Sequence, residues 1–198
     1  MRFGRTGSWF GSETFGIEPD IMTIAKGMTS GYLPMGGSVI RESVAQTFAD
    51  YGGEFNHGYT YNGHPASAAV SLENIRILQE EDIVGNVRDV TAPYIADVWA
   101  KIGEHPLVGE ARICGMMGAL ELTPDVSARA PFQVDKGTVG FICREHCLAN
   151  GLVMRAVGDT MIISPPLCIT TGEIDLLAEK VWKVLDLTAA QLKADGIS

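Results

Sequence analysis

The chain changes texture at Ala66, and that change constrains its fold more than any single motif. Before it, glycine and proline break up the apolar runs; after it, apolar residues recur at helical spacing with few breakers. Short apolar runs bounded by turn residues read as strands, and breaker-poor periodic stretches read as helices. A chain that carries both is expected to be an α/β protein.

In the first part, Ile21-Met22-Thr23-Ile24-Ala25 is a short apolar run announced by Pro19-Asp20 and ended by Lys26-Gly27. Its length and composition predict a buried strand. The segment Gly31-Tyr32-Leu33-Pro34-Met35-Gly36-Gly37 excludes a regular helix, and Ser38-Val39-Ile40 reads as a further strand. Asn56 to Pro65 reads as a loop holding His57, Thr60 and His64.

Beyond Ala66 the spacing of Ala68, Ala69, Leu72, Ile75 and Leu78 predicts a helix up to Gly85, with a second helical stretch through Trp99. Strand-like runs follow at Leu107-Val108 and Ala111 to Leu122, then a helix over Val134 to Ala149. Leu152 to Arg155 and Thr160 to Ser164 flank Gly158-Asp159, which predicts a hairpin. Thr170 and Glu173 form a capping box before a helix whose apolar stripe is Ile174, Leu177, Ala178, Val181, Val184 and Leu185.

Composition narrows the function classes. With 46% apolar and 20% charged residues a buried core is expected. A net charge of -9, with 15 basic residues scattered among 24 acidic ones, argues against a nucleic-acid partner. No apolar run approaches the roughly 18 residues of a membrane span, and Met1 to Arg5 is not followed by the apolar stretch of a secretory signal. The four cysteines lack the spacing of a disulfide scaffold, so reduced thiols in the cytoplasm are expected.

Three residues stand out chemically. Lys26 directly follows an apolar run, where an ammonium is costly unless paired or kept neutral. A lysine kept neutral attacks carbonyls, whereas a lysine at an ordinary strand end simply reaches water; local physics leaves both open. Thr60, in the loop Gly58 to Pro65, either helps to bind a phosphate near a helix start or belongs to a polar turn with Tyr59 and Tyr61 packed beneath it. Arg155 lies in an apolar segment, where it either clamps a substrate carboxylate or pairs with a protein carboxylate. Cys143, His146 and Cys147 share a helix, but no second ligand cluster accompanies them, so no metal is expected.

The segments Phe3 to Gly7, Pro19 to Gly27 and Gly31 to Gly36, then Gly58 to Pro65, then Gly151 to Arg155 followed by Ser164-Pro165-Pro166-Leu167, together resemble the class III aminotransferases. The likeness is greatest to the ω-amino acid and diamine:pyruvate aminotransferases. It runs in order over the whole chain. The resemblance implies the pyridoxal-phosphate (PLP) transferase fold of type I and a homodimer with its sites at the subunit interface. It implies a domain plan of 1–66 (C-terminal part of the large PLP-binding domain), 67–100 (a helical connector) and 101–198 (a small C-terminal α/β domain). It implies that Lys26 binds PLP covalently and shuttles the proton, that Thr60 reaches the PLP phosphate of the partner subunit, and that Arg155 pairs with the keto-acid carboxylate. Tyr32 and Pro34 fall near the cofactor without an assigned role.

Two departures accompany the resemblance. The family's chains are more than twice as long, and the part without a counterpart here includes the phosphate loop, the ring-stacking aromatic and the aspartate that pairs with the pyridinium nitrogen. Arg2 also stands where the family usually has glycine. The expectation is transamination of an amine or ω-amino acid with pyruvate or another keto acid, incomplete in this chain alone. The alternatives are a non-catalytic remnant that serves as a folded interaction domain, or another type I activity such as an aminomutase.

Overall fold

The computed structural model describes residues 3–128 and 130–197. The chain divides into two compact units between Asn86 and Val87.

The first unit contains a short helix α1 (Gly11–Thr14) and two antiparallel strands, β1 (Ile21–Ala25) and β2 (Gly36–Ile40), paired from Ile21↔Ile40 to Ala25↔Gly36. The strand expected at Ile21 to Ala25 is present, but it is not buried: Ile21 is 57% exposed. It pairs on one side only, in a two-stranded sheet. Helix α2 (Glu42–Tyr51) follows and stops at Gly52, whose φ of +66° is the left-handed conformation that glycine adopts without a Cβ penalty. Then comes the loop before α3 (Pro65–Glu80). His64 caps α3, its Nδ1 accepting from Ser67 N–H at 3.4 Å, and Pro65 takes the first helical position, where its missing N–H costs nothing. A turn through Asp82 (φ +44°) leads into the short α4 (Ile83–Asn86).

The second unit opens with a π turn at Val87–Thr91 that runs into α5 (Ala92–Ile102). Strands β3 (Val108–Cys114) and β4 (Met117–Leu122), helix α6 (Thr138–Ala149), strands β5 (Arg155–Val157) and β6 (Thr160–Ile163), and helix α7 (Thr171–Asp195) complete it. The strands form one antiparallel sheet in the order β3-β4-β6-β5. Alternate residues Leu120, Leu122, Met161 and Ile163 are buried while their neighbours are less so, as in a sheet covered on one face. Trp99 of α5 lies on β4: its indole N–H donates to Ala119 O at 3.2 Å, and a Cβ on Gly118 would stand 2.8 Å from its ring. Ile174, Val181, Val184 and Leu185 of α7 and Val139, Cys143 and Cys147 of α6 are buried in the same core.

The capping box and stripe of α7 match the expectation, with Thr170 Oγ1 accepting from Glu173 N–H and Glu173 accepting from Thr170 N–H. Helix α6 starts later than the periodicity suggests, at Thr138, because Gly137 takes φ +95° and no helix passes through that conformation. The expected hairpin is present with Arg155↔Ile162 and Val157↔Thr160 in register; Gly158, at φ +58°, begins its two-residue turn.

Candidate functional site

Lys26 stands at the point where β1 ends. Its backbone takes φ +58°, and it opens a single 3-10 turn over Lys26–Met28. A non-glycine residue in the left-handed region costs about 1–2 kcal/mol, since its Cβ crowds the backbone carbonyl. Such strain persists only where the surroundings hold it, and it concentrates at functional sites. The Lys26 side chain is exposed, and among the described residues it has no hydrogen-bond or ion-pair partner. Of the two readings that local physics left open, this exposure is that of a lysine at a strand end reaching water. The loop after it is tied internally: Thr29 N–H donates to Lys26 O at 3.1 Å, and the buried Thr29 hydroxyl donates to Leu33 O at 2.6 Å. A Cβ on Gly27 would stand 3.1 Å from Cβ of Phe3, so a larger residue there would have to displace Phe3.

Thr60 lies in an exposed turn in which Asn62 N–H donates to Tyr59 O at 2.9 Å. Tyr59 and Tyr61 are 77% and 83% exposed, so they do not pack beneath the loop; Tyr59 instead meets His57 edge-on. The loop leads straight into the N-terminus of α3, where free backbone N–H groups favour an anion. His64 is occupied as the helix cap.

Arg155 is the first residue of β5 and is exposed, so the segment that reads as apolar presents its guanidinium to water. No carboxylate among the described residues pairs with it. Its strand is placed by the hairpin turn, where Asp159 accepts from Gly137 N–H at 3.1 Å and from Gly140 N–H at 2.9 Å, at the start of α6.

Lys26 and Thr60 thus belong to the first unit and Arg155 to the second. Within the first unit, no hydrogen bond among the described residues joins Lys26 to Thr60. Arg2, where the sequence departs from the family pattern, lies outside the described residues. Cys143 and Cys147 are buried one turn apart on α6, and His146 bonds Gln191 at 2.8 Å. Among the described residues no group of three or more His, Cys, Asp or Glu side chains is placed to hold a metal.

Asn74, a half-buried residue in the middle of α3, carries no motif that marks it in the sequence. Its carboxamide bonds the turn that follows Lys26 through three contacts. The available signal was its position: asparagine is a poor helix former, and this one interrupts an otherwise favourable helical segment.

The class-III aminotransferase family profile matches residues 2–185. The chain belongs to the class III aminotransferases. It is 58% identical over 192 residues to a putrescine–pyruvate aminotransferase of Pseudomonas aeruginosa, covering 97% of this chain and 41% of that one. A diaminobutyrate–2-oxoglutarate transaminase of Halomonas elongata is 36% identical over 199 residues, covering 98% and 42%. Among solved structures, the omega transaminase from Pseudomonas jessenii in complex with PMP superposes with a TM-score of 0.91 at 37% identity, covering 97% of this chain and 43% of that one. A transaminase with L-Ala gives a TM-score of 0.89 at 36% identity, covering 96% and 45%. The fold is therefore that of the type I PLP-dependent transaminases. The chain spans about two fifths of the length of these relatives.

Proposed function

We propose that these residues supply the cofactor lysine and the keto-acid clamp of an aminotransferase that moves an amino group from an amine or ω-amino acid to pyruvate or another keto acid. The reaction is proposed for an assembly in which they act with sequence corresponding to the rest of the relatives' length. The observation that carries the reading is Lys26: an exposed amine on a strained backbone at a strand end, within the family's motif.

The residues present fit PLP. The exposed Lys26 amine would hold the cofactor covalently through its carbonyl carbon. When bound, PLP supplies the electron sink that stabilises negative charge at the carbon losing its proton. Lys26 would also serve as the base and acid that moves the substrate proton. Thr60 and the N–H groups at the start of α3 suit the phosphate. In the family this threonine acts across the subunit boundary, which makes a homodimer part of the proposal.

Arg155 presents a planar fork of donors that matches a carboxylate bidentately. With no fixed partner among the described residues, it is free to engage pyruvate and to move aside for a donor without a carboxylate. The putrescine–pyruvate relative supports pyruvate as acceptor and a diamine or ω-amino compound as donor. The four free cysteines support a cytoplasmic location.

The test is reduction of the protein with borohydride in the presence of PLP, followed by peptide mapping. The expected result is a reduced PLP adduct on Lys26, absent in Lys26→Ala. Labelling spread evenly over the lysines, or concentrated at another, would overturn the reading.

A further inference from the structure

The turn after β1 holds three residues in the left-handed region: Lys26 at φ +58°, Ser30 at +49° and Gly31 at +84°. Two of these are not glycine, so the conformation is not one the local sequence favours by itself. Something outside the turn has to hold it.

Asn74 does so from α3. Its Nδ2 donates to Gly27 O at 2.9 Å and to Met28 O at 3.2 Å, and its Oδ1 accepts from the Ser30 hydroxyl at 2.6 Å. One side chain therefore ties down three of the four residues that follow Lys26. The orientation of the amide is settled by its partners, because two carbonyl oxygens can only accept and must face the NH2 group. No other side chain of this size combines two donors with an acceptor. Aspartate would set carboxylate oxygens against two carbonyls, and leucine would leave all three groups unpaired.

On the reading that Lys26 is the cofactor lysine, we propose that Asn74 is its positioning residue: it fixes the carbonyls of Gly27 and Met28 and so sets where the Lys26 amine stands. The chemistry belongs to Lys26, and Asn74 acts through the backbone. A catalytic group gains from being held in its productive geometry before the substrate arrives.

The test uses the whole chain and three forms: unaltered, Asn74→Ala and Asn74→Asp. Capture of PLP at each lysine is followed with cyanoborohydride and mass spectrometry between about pH 4 and 7.5, and amide hydrogen exchange is followed without cofactor. Asn74→Ala is expected to slow capture at Lys26 by at least about tenfold relative to Lys101 and Lys183, consistent with the sensitivity of such sites to small misplacements. Exchange should rise in the peptide spanning residues 26–33 and stay unchanged in α5–α7. Asn74→Asp should behave like Asn74→Ala at neutral pH and recover toward the unaltered chain as its carboxyl protonates near pH 4 and regains one donor. Loss of Lys26 capture in Asn74→Ala with no acid recovery in Asn74→Asp would mark a purely structural defect and overturn the proposal. Equal Lys26 capture in the unaltered chain and Asn74→Ala would overturn this proposal alone. Failure of the unaltered chain to label Lys26 would overturn the functional reading and this inference with it.

Discussion

Asp159 and Gly140 lock the β5–β6 hairpin to the start of α6. The Asp159 carboxylate accepts from Gly140 N–H at 2.9 Å, and a Cβ on Gly140 would collide with Gly158 O. The contact joins a charged acceptor to the positive end of a helix, and it fits only because residue 140 has no side chain. It also fixes the hairpin that carries Arg155. Asp159→Ala is expected to lose about 1–3 kcal/mol of stability, the cost of leaving the N–H groups of Gly137 and Gly140 without a charged acceptor. Gly140→Ala should be at least as damaging, because the clash is with backbone. Urea unfolding of both variants checks this; a neutral Gly140→Ala would show that the hairpin is not docked as described.

Lys26 should be a site where function opposes stability. Its φ of +58° suits glycine, so Lys26→Gly is expected to be more stable than Lys26→Ala by about 1 kcal/mol. This reverses the usual order of the two residues in ordered structure. Paired chemical melts decide it, and a Lys26→Ala chain as stable as Lys26→Gly would mean that the left-handed conformation carries no strain.

The cysteines should react in an order set by burial rather than by thiol acidity. A hydrogen bond from Cys147 holds the Cys143 thiol below its usual range, while that same bond together with burial pushes Cys147 far above it. Cys143 and Cys147 are 1% and 0% exposed, whereas Cys168 is exposed. Iodoacetamide pulses read by mass spectrometry should show Cys168 alkylated first, with the α6 pair at least about a hundredfold slower, since they react only when the core opens. Rapid labelling of Cys143 would contradict its burial.

The capping box of α7 gives a pH signature. Glu173 is held below the usual carboxylate range by the Thr170 backbone N–H and then by the Thr170 hydroxyl. A lowered folded-state value means that its stabilisation is present above about pH 4.3 and is lost as the pH falls through the lower value. Thr170→Ala should cost about 1 kcal/mol at neutral pH. Its deficit relative to the unaltered chain should shrink on acidification, which thermal melts at pH 7 and pH 3 can read.

Gly118 tests the packing of the second unit. A Cβ there would meet Trp99 Cε2 at 2.8 Å and Ile163 Cγ1 at 3.0 Å. Trp99 is 1% exposed and hydrogen-bonded to Ala119 O, so its ring cannot move freely. Gly118→Ala is expected to cost about 1–3 kcal/mol by overpacking, measured by the same melts.

Periodicity and turn chemistry make much of this protein legible in its sequence. The α7 stripe, its Thr170–Glu173 cap, the Gly158-Asp159 hairpin and the strand ending at Lys26 are local features, determined by residues within a few positions of one another. The candidate residues Lys26, Thr60 and Arg155 were legible for a different reason: each sits in a short segment whose order along the chain resembles one family. Tertiary structure decided the rest. The exposure of β1 depends on what pairs with it across the sheet, and an apolar run carries no record of that. The late start of α6 follows from the left-handed backbone at Gly137, beside a hairpin more than twenty residues further on. Asn74 was invisible for the same reason. Its three partners lie 44 to 47 positions away, and only folding brings its carboxamide to the turn that holds Lys26.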